Sequence, residues 1–561
     1  MEFKKLLSKI AYYLEVEHVP GSTQLERYLR SSDLLPVEPA RRQWHFKNFV
    51  FFWLAECINI NTWMVASTMI QGGLSWWEAW VCVWIGFIIA ASFLVLAAHI
   101  GATYHIGFPV IVRAPFGIFG ALWPVLNRTV MACIWYGVQA WIGGECVTLM
   151  IRAIWPSYVN MKNTMGSSGT TTYAWVSFFI FWLCSLPALW FPVHKIRHLF
   201  TVKSVIVPIA AILFFVWAVV KAHGLGPIVN QSGTLHGSDH VWAWIKGIMS
   251  CICSFCTLIL NNADFSRFAS SPKTAVLSQL VTIPLGFGVT CFIGLIVGSA
   301  SQTIYGKSLW DPLELLSEFL YHTHSHAVRT GVFFLAFSFA FAQLGVNVSA
   351  NSVSAGSDMT ALFPRFINIR RGSYVCAIVG IAMCPWKLLS SGSKFTTVLS
   401  AYSVFLSSFC GTISADYFIV RKGYYSLPDL FEGKNSAYWY HFGVSWRGFL
   451  AYLLGVGINI VGFVGAVGAT VPETATHIYD LSFFGGFIVS FVAYIIICTI
   501  APIKPVGDKY LTEPVSEIEA YISDLSHVFP RSSVDDDASS SQGTTPSLKK
   551  ESDVGMEIKS L

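Results

Sequence analysis

The chain has 561 residues; 54% are hydrophobic, 12% are charged and the net charge is +5. Soluble proteins carry about a quarter charged residues, so this composition, with a mean hydropathy of +0.57, excludes a soluble globular enzyme and points to a polytopic membrane protein. The basic residues sit in particular loops, which gives no ground for a nucleic-acid partner.

The polar segment 1–46 lacks a secretory-signal pattern, so the first span would direct insertion. A span needs roughly 20 apolar residues, and the sequence predicts about twelve. They cover 47–71, 76–100, 121–150, 173–194, 199–222, 241–262, 275–300, 328–355, 373–390, 394–421, 448–470 and 481–503. Unbroken runs such as "AAILFFVWAVV" exclude the alternating pattern of a membrane barrel. The expectation is an all-α polytopic protein: an N-terminal segment 1–46, a transmembrane domain 47–505 and a polar, Ser-rich tail 506–561 that is expected to be disordered.

Taken in chain order, the first span holds Glu56, Asn59, Asn61 and Thr62 in "WLAECININTWMVAS". The third reads "CIWYGVQAWIGGECVTLMI" and carries Gln139 and Glu145. The sixth carries Lys246, then Ser254, Thr257, Asn261, Asn262 and Asp264. Five spans separate the first interruption from the second, so the second copy would be inverted. Interrupted helices at matching positions of two halves are the sequence mark of an inverted-repeat carrier, with unwound backbone free to hold substrate and ion. Taken singly, each interruption reads as a polar helix–helix contact; the pair favours a carrier.

Loop charges set orientation. Arg41, Arg42 and Lys47, then Lys195, Arg197 and Lys203, then Arg267 and Lys273, then Arg365, Arg370 and Arg371, then Arg421, Lys422 and Lys434 alternate along the chain. They place both termini in the cytosol, with Lys387 and Lys394 as exceptions. The sequon Asn230-Gln231-Ser232 then falls outside.

Chemistry-bearing clusters are few. Thirteen cysteines lie mostly in apolar runs and read as small hydrophobes, including Cys251, Cys253 and Cys256, which lack a partner His or second Cys pair for a metal. "YHTHSH" reads as a solvated loop. No HExxH, carboxylate pair or Gly-rich phosphate loop marks an enzyme. Neither metal nor cofactor is expected.

Trp135 and Gln139 are four residues apart and share a helix face. An indole is a flat apolar platform and a primary amide both accepts and donates. Together they suit a planar heterocycle with adjacent N–H and C=O groups; a packing contact with a helix–helix hydrogen bond explains this one helix equally well.

"DLLPVEPARRQW", "IWYGVQAWIGGE", "FPVHKIRHLFTVK", "NNADFSRFA" and "GVNVSANSVSAGSDMTALFPR" resemble the nucleobase–cation symporter family 1, above all its fungal uracil, uridine and allantoin permease branch. The resemblance runs from about Asp33 to about Tyr510 and implies a leucine-transporter-like fold, with a five-plus-five inverted repeat and two peripheral helices. It implies proton symport at the fungal plasma membrane, with trafficking machinery acting on the tails. By motif, Trp135 is the stacking residue, and Gln139 and Asn351 read the substrate edge; Phe255, after Ser254, stands where bacterial relatives have a stacking Trp. Gly345 and Val346 replace the hydroxyls of sodium-coupled relatives, which argues against sodium. Intramembrane Glu56 and Lys246 are then expected to face each other, Glu56 carrying the coupled proton. Glu145 is expected near the outer vestibule, as a gate or packing contact. Asp264, with Arg267, is expected at an inner gate or structural ion pair, and "SSDLLPVEPARRQW" over the inner vestibule. The alternative is a substrate sensor of the same family that has lost transport.

Overall fold

The computed structural model describes residues 15–16, 23–191, 193–307, 309, 311–389, 397, 400–511 and 515–525. Among these residues nine helices are long and apolar enough to cross a membrane, and a tenth is the bent pair Phe46–Cys57 and Ile60–Gln71, which meet at 53°. Leu122–Ile154 is another 33-residue helix, about 50 Å long, diluted in hydropathy by its polar residues. Ile369–Ala382 supplies a short ninth member. Large apolar side chains such as Val216, Leu285, Phe334 and Ile496 point outward along these helices, as lipid requires and water would penalise. Of the expected loop charges, Lys394 and the side chains of Lys195 and Arg197 lie outside the described residues, as does the tail beyond 525.

Lipid supplies no hydrophobic drive between helices, so close packing and polar contacts must hold the bundle. The second span (Trp76–Tyr104) packs on the seventh (Pro272–Tyr305), and the third (Leu122–Ile154) on the eighth (His326–Val346, continuing through Asn347–Val353 to Ser354–Leu362). Residues 347–353 form a π-helical segment, the kind of bulge that often marks a functional site. The sixth span is Gly237–Ser254 and Cys256–Ser266, parted at Phe255.

A buried cluster locks one end of the bundle. Arg128 of the third span pairs with Asp264 of the sixth at 2.7 Å and donates from Nε to Asp358 of the eighth at 2.6 Å. Asp264 also accepts from the Phe108 N–H. Asp264 and Arg267 are thus not each other's direct partners: Arg267 instead donates to the Asp33 carbonyl at 2.9 Å. At this same end the N-terminal segment runs as a strap. The Tyr28 hydroxyl donates to the Ile118 carbonyl, the Val37 N–H to that of His105, and the Trp44 N–H to that of Phe268. The Asp33 carboxylate accepts from the Ile369 N–H at 3.0 Å.

A second compact unit begins at Ser516. Within it the chain is helical to Leu525, with Ile518, Ile522 and Leu525 on one apolar face.

Candidate functional site

The bend in the first span is built locally. Asn59 stands between the two half-helices, outside helical geometry, and its side-chain oxygen accepts from the Thr62 N–H at 3.0 Å. Its amide donates to the Glu56 carbonyl at 2.6 Å. One side chain thus caps the second half-helix and satisfies a carbonyl freed by the first, which makes the break stable in a medium without water.

Beside the bend lies a cavity of about 620 Å³, including the space at its mouth. Glu56, Asn59, Asn61, Trp135, Gln139, Ser254, Phe255 and Asn351 all line it. Eight residues expected from four different spans therefore meet in one place. The Gln139 carbonyl oxygen and both amide atoms of Asn61 are buried and make no hydrogen bond among the described residues. Asn351 donates to the side-chain oxygen of Asn347, which in turn donates to the Tyr136 carbonyl, so the π segment is tied to the third span. The Ser254 hydroxyl turns back to the Cys251 carbonyl at 2.7 Å, inside its own helix.

Three further candidate residues lie outside the cavity, and of these only Lys246 is expected from the sequence beside Glu56. Lys246 does not face Glu56: it is half-exposed and pairs with Asp480 at 3.3 Å. Its helix face is the one that carries Trp242, whose ring stacks on His477 at 3.8 Å, so Lys246 points away from the cavity. Glu145 accepts from Trp141 at 2.9 Å and lies beside Asp311, outside the cavity lining. Burial pushes the Asp311 carboxyl up to about 7, with neighbouring Glu314 adding to it. Asp264 belongs to the Arg128 cluster described above.

The cation opposite Glu56 is Lys203, fully buried, with its Nζ 3.8 Å from the carboxylate. The Ser349 hydroxyl donates to the same carboxylate oxygen at 2.7 Å. By sequence Lys203 counts among the loop charges, beside Lys195 and Arg197. The helix starts at Val193, which puts Lys203 about 15 Å along it. Lys203 occupies the space left by Gly345: a Cβ there would stand 2.6 Å from its Cδ. Tyr402 of the tenth span (Ser403–Val420 with the preceding turn) was also not anticipated. Its ring meets Trp135 edge-on at 6.4 Å and its hydroxyl donates to the Cys253 carbonyl at 2.9 Å, tying the tenth span to the sixth beside the break.

The model of the family "Permease for cytosine/purines, uracil, thiamine, allantoin" matches residues 36–486. The chain is 46% identical to the allantoin permease of Saccharomyces cerevisiae, over 91% of this chain and 82% of that one. It is likewise 46% identical to the uracil permease of the same yeast, over 90% and 81%. Its fold is similar to the solved structure of Mhp1, a nucleobase-cation-symport-1 family transporter, in a closed conformation with bromovinylhydantoin bound. That likeness has a TM-score of 0.69 at 22% identity and covers 88% of this chain and all of the other, which fixes the fold as the leucine-transporter-like one. With its helical bundle, broken spans and central cavity, the chain belongs to the cytosine/purine, uracil, thiamine and allantoin permease family, and is a multi-pass membrane transporter rather than an enzyme.

Proposed function

We propose that the chain imports uracil, uridine or allantoin across the plasma membrane together with protons, with both termini in the cytosol. The observation that carries the substrate class is the unpartnered Gln139 oxygen in a cavity walled by Trp135 and shared with Asn351 and Asn61. A buried acceptor without a donor costs about 1–3 kcal/mol. A ureido N–H would satisfy it, while the indole of Trp135 holds the plane of the ring. The names of the yeast relatives, allantoin and uracil permease, support the same class.

In this reading Glu56 carries the coupled proton. Its carboxylate is held by Lys203 and Ser349, and its backbone carbonyl is held by Asn59 at the bend. Proton uptake would cancel the charge facing Lys203 and leave a buried ammonium without its counter-ion, which is costly in a low dielectric. That cost gives the two protonation states of Glu56 different preferred packings of the first, fifth and eighth spans. Since Glu56 also lines the cavity, the proton and the substrate act on the same bend. The fixed ammonium of Lys203 stands in for a metal cation beside the eighth span.

Uptake of radiolabelled uracil, uridine and allantoin by cells lacking their own carriers, with and without a protonophore, tests this. Accumulation of at least one, abolished by the protonophore, is the expected result. Surface-localised protein that accumulates none would overturn it in favour of a sensor.

A further inference from the structure

The cavity has a side that none of its hydrogen-bonding residues supply. The third and eighth spans, which carry Trp135, Gln139 and Asn351, pack on each other; the second and seventh do the same, and the cavity is lined from both pairs. The second span contributes Phe87 and the seventh Phe287, both buried. Their rings stack at 4.3 Å and 26°. Phe255, from the sixth-span break, stands edge-on to both, at 5.3 Å and 4.8 Å. The Trp53 ring lies parallel to Phe255 at 5.8 Å.

This aromatic group is backed by backbone that cannot retreat. Phe287 sits between Gly286 and Gly288. A Cβ on Gly286 would be 2.5 Å from the Cys57 sulfur, and one on Gly288 would be 2.7 Å from the Trp84 ring. The seventh span is therefore pressed against the first and second on either side of Phe287, whose ring lies against Phe87 and Phe255 at the cavity. Stacked and edge-on rings at these separations are mutually attractive and hold one another in place.

We infer that Phe87 and Phe287, with Phe255 seated on them, form a rigid apolar wall that determines specificity by reading the substrate edge opposite its hydrogen-bonding edge. The inference rests on the substrate class proposed above. A ring whose far edge is bare carbon fits against the wall. A hydroxyl, amide or sugar on that edge would be buried against carbon with no partner, and a longer alkyl group would have to displace the wall, so within the proposed class the wall favours uracil, whose C5–C6 edge is bare carbon, over allantoin, whose ring carbon on that side bears a ureido group.

The test uses labelled uracil and measures inhibition of its uptake by unlabelled uracil, 5-methyluracil, 5-propyluracil and 5-hydroxymethyluracil. In the wild type, 5-propyluracil and 5-hydroxymethyluracil should inhibit at least tenfold more weakly than uracil. Phe287→Ala should bring 5-propyluracil to within about threefold of uracil, the gain expected from emptying a buried pocket. Phe87→Ala should act in the same direction and stands in for Phe287→Ala should that variant fail to reach the surface. Unchanged inhibitor ratios in surface-expressed Phe287→Ala or Phe87→Ala protein would overturn the wall while leaving the transport reading intact. A wild type that accumulates uridine or allantoin but not uracil would overturn the wall alone, and one that accumulates none of the three would overturn both.

Discussion

The two broken spans occupy matching places in the fold and have opposite chemistry. At the first break the chain bends by 53° around Asn59, and the residues beside it are an amide with both polar atoms unpartnered, Asn61, and a carboxylate paired across the bundle, Glu56. At the sixth, a single residue parts the half-helices, its neighbour Ser254 bonds within its own turn, and Phe255 is fixed by three other rings. One break offers hydrogen bonds and charge to the cavity; the other offers shape. A carrier needs both, since an ion must be bound and released while a substrate must be recognised, and in the function proposed above the two breaks divide these tasks between them.

Breaking the charge at the first bend should give the largest effect. Lys203→Met leaves Glu56 buried without its counter-ion, a loss of about 3–5 kcal/mol, and we expect little protein to reach the surface. Glu56→Gln added to Lys203→Met should recover surface expression, measured by fluorescence of a tagged chain, without recovering accumulation. Recovery of accumulation in that double variant would show that the pair is only structural. Asn61→Ala should come next. If its free amide meets the substrate, its loss should raise the apparent KM about tenfold, the equivalent of about 1.4 kcal/mol; an unchanged KM would move substrate recognition away from the bend. Asn59→Ala removes a cap that contributes about 1 kcal/mol. It should lower the maximal rate several-fold, with Asn59→Asp restoring little of it, because aspartate keeps the cap but turns a carboxylate oxygen toward the Glu56 carbonyl to which the amide donates. The smallest effects should fall at the sixth span. Ser254→Ala and Lys246→Ala should each leave uptake within about twofold, since one bonds only its own helix and the other is a half-exposed ion pair of the sort that contributes little.

Those last two residues also show how far the sequence reaches. The bundle, the first bend and the convergence of Trp135, Gln139 and Asn351 are legible because each leaves a local mark: a long apolar run, an interruption, a stretch of matching motif. The partner of Glu56 is not legible from such marks. Lys246 and Lys203 are both lysines near the apolar segments, and choosing between them requires the start of a helix to within a turn and the face each residue takes. Lys203 reads as a loop charge beside Lys195 and Arg197, yet the helix that begins at Val193 carries it into the bundle. Phe87 and Phe287 left no mark at all: in a chain with 43 phenylalanines, only packing separates two that meet the cavity from those that meet lipid. The Arg128 cluster was half visible, since Asp264 stood out as a carboxylate within a span. Its guanidinium partner and Asp358 are distant in sequence and meet only through the crossing of three helices.

The central claim is that substrate entry and proton entry are joined at Glu56. The most direct measurement is the external pH of a lightly buffered suspension of cells expressing the chain, recorded as an accumulated substrate is added, for the wild type and for Glu56→Gln. The account predicts transient alkalinisation with the wild type and none with Glu56→Gln, although Glu56→Gln protein at the surface still binds the substrate. Alkalinisation of equal size in both would contradict it and place the coupled proton on another group.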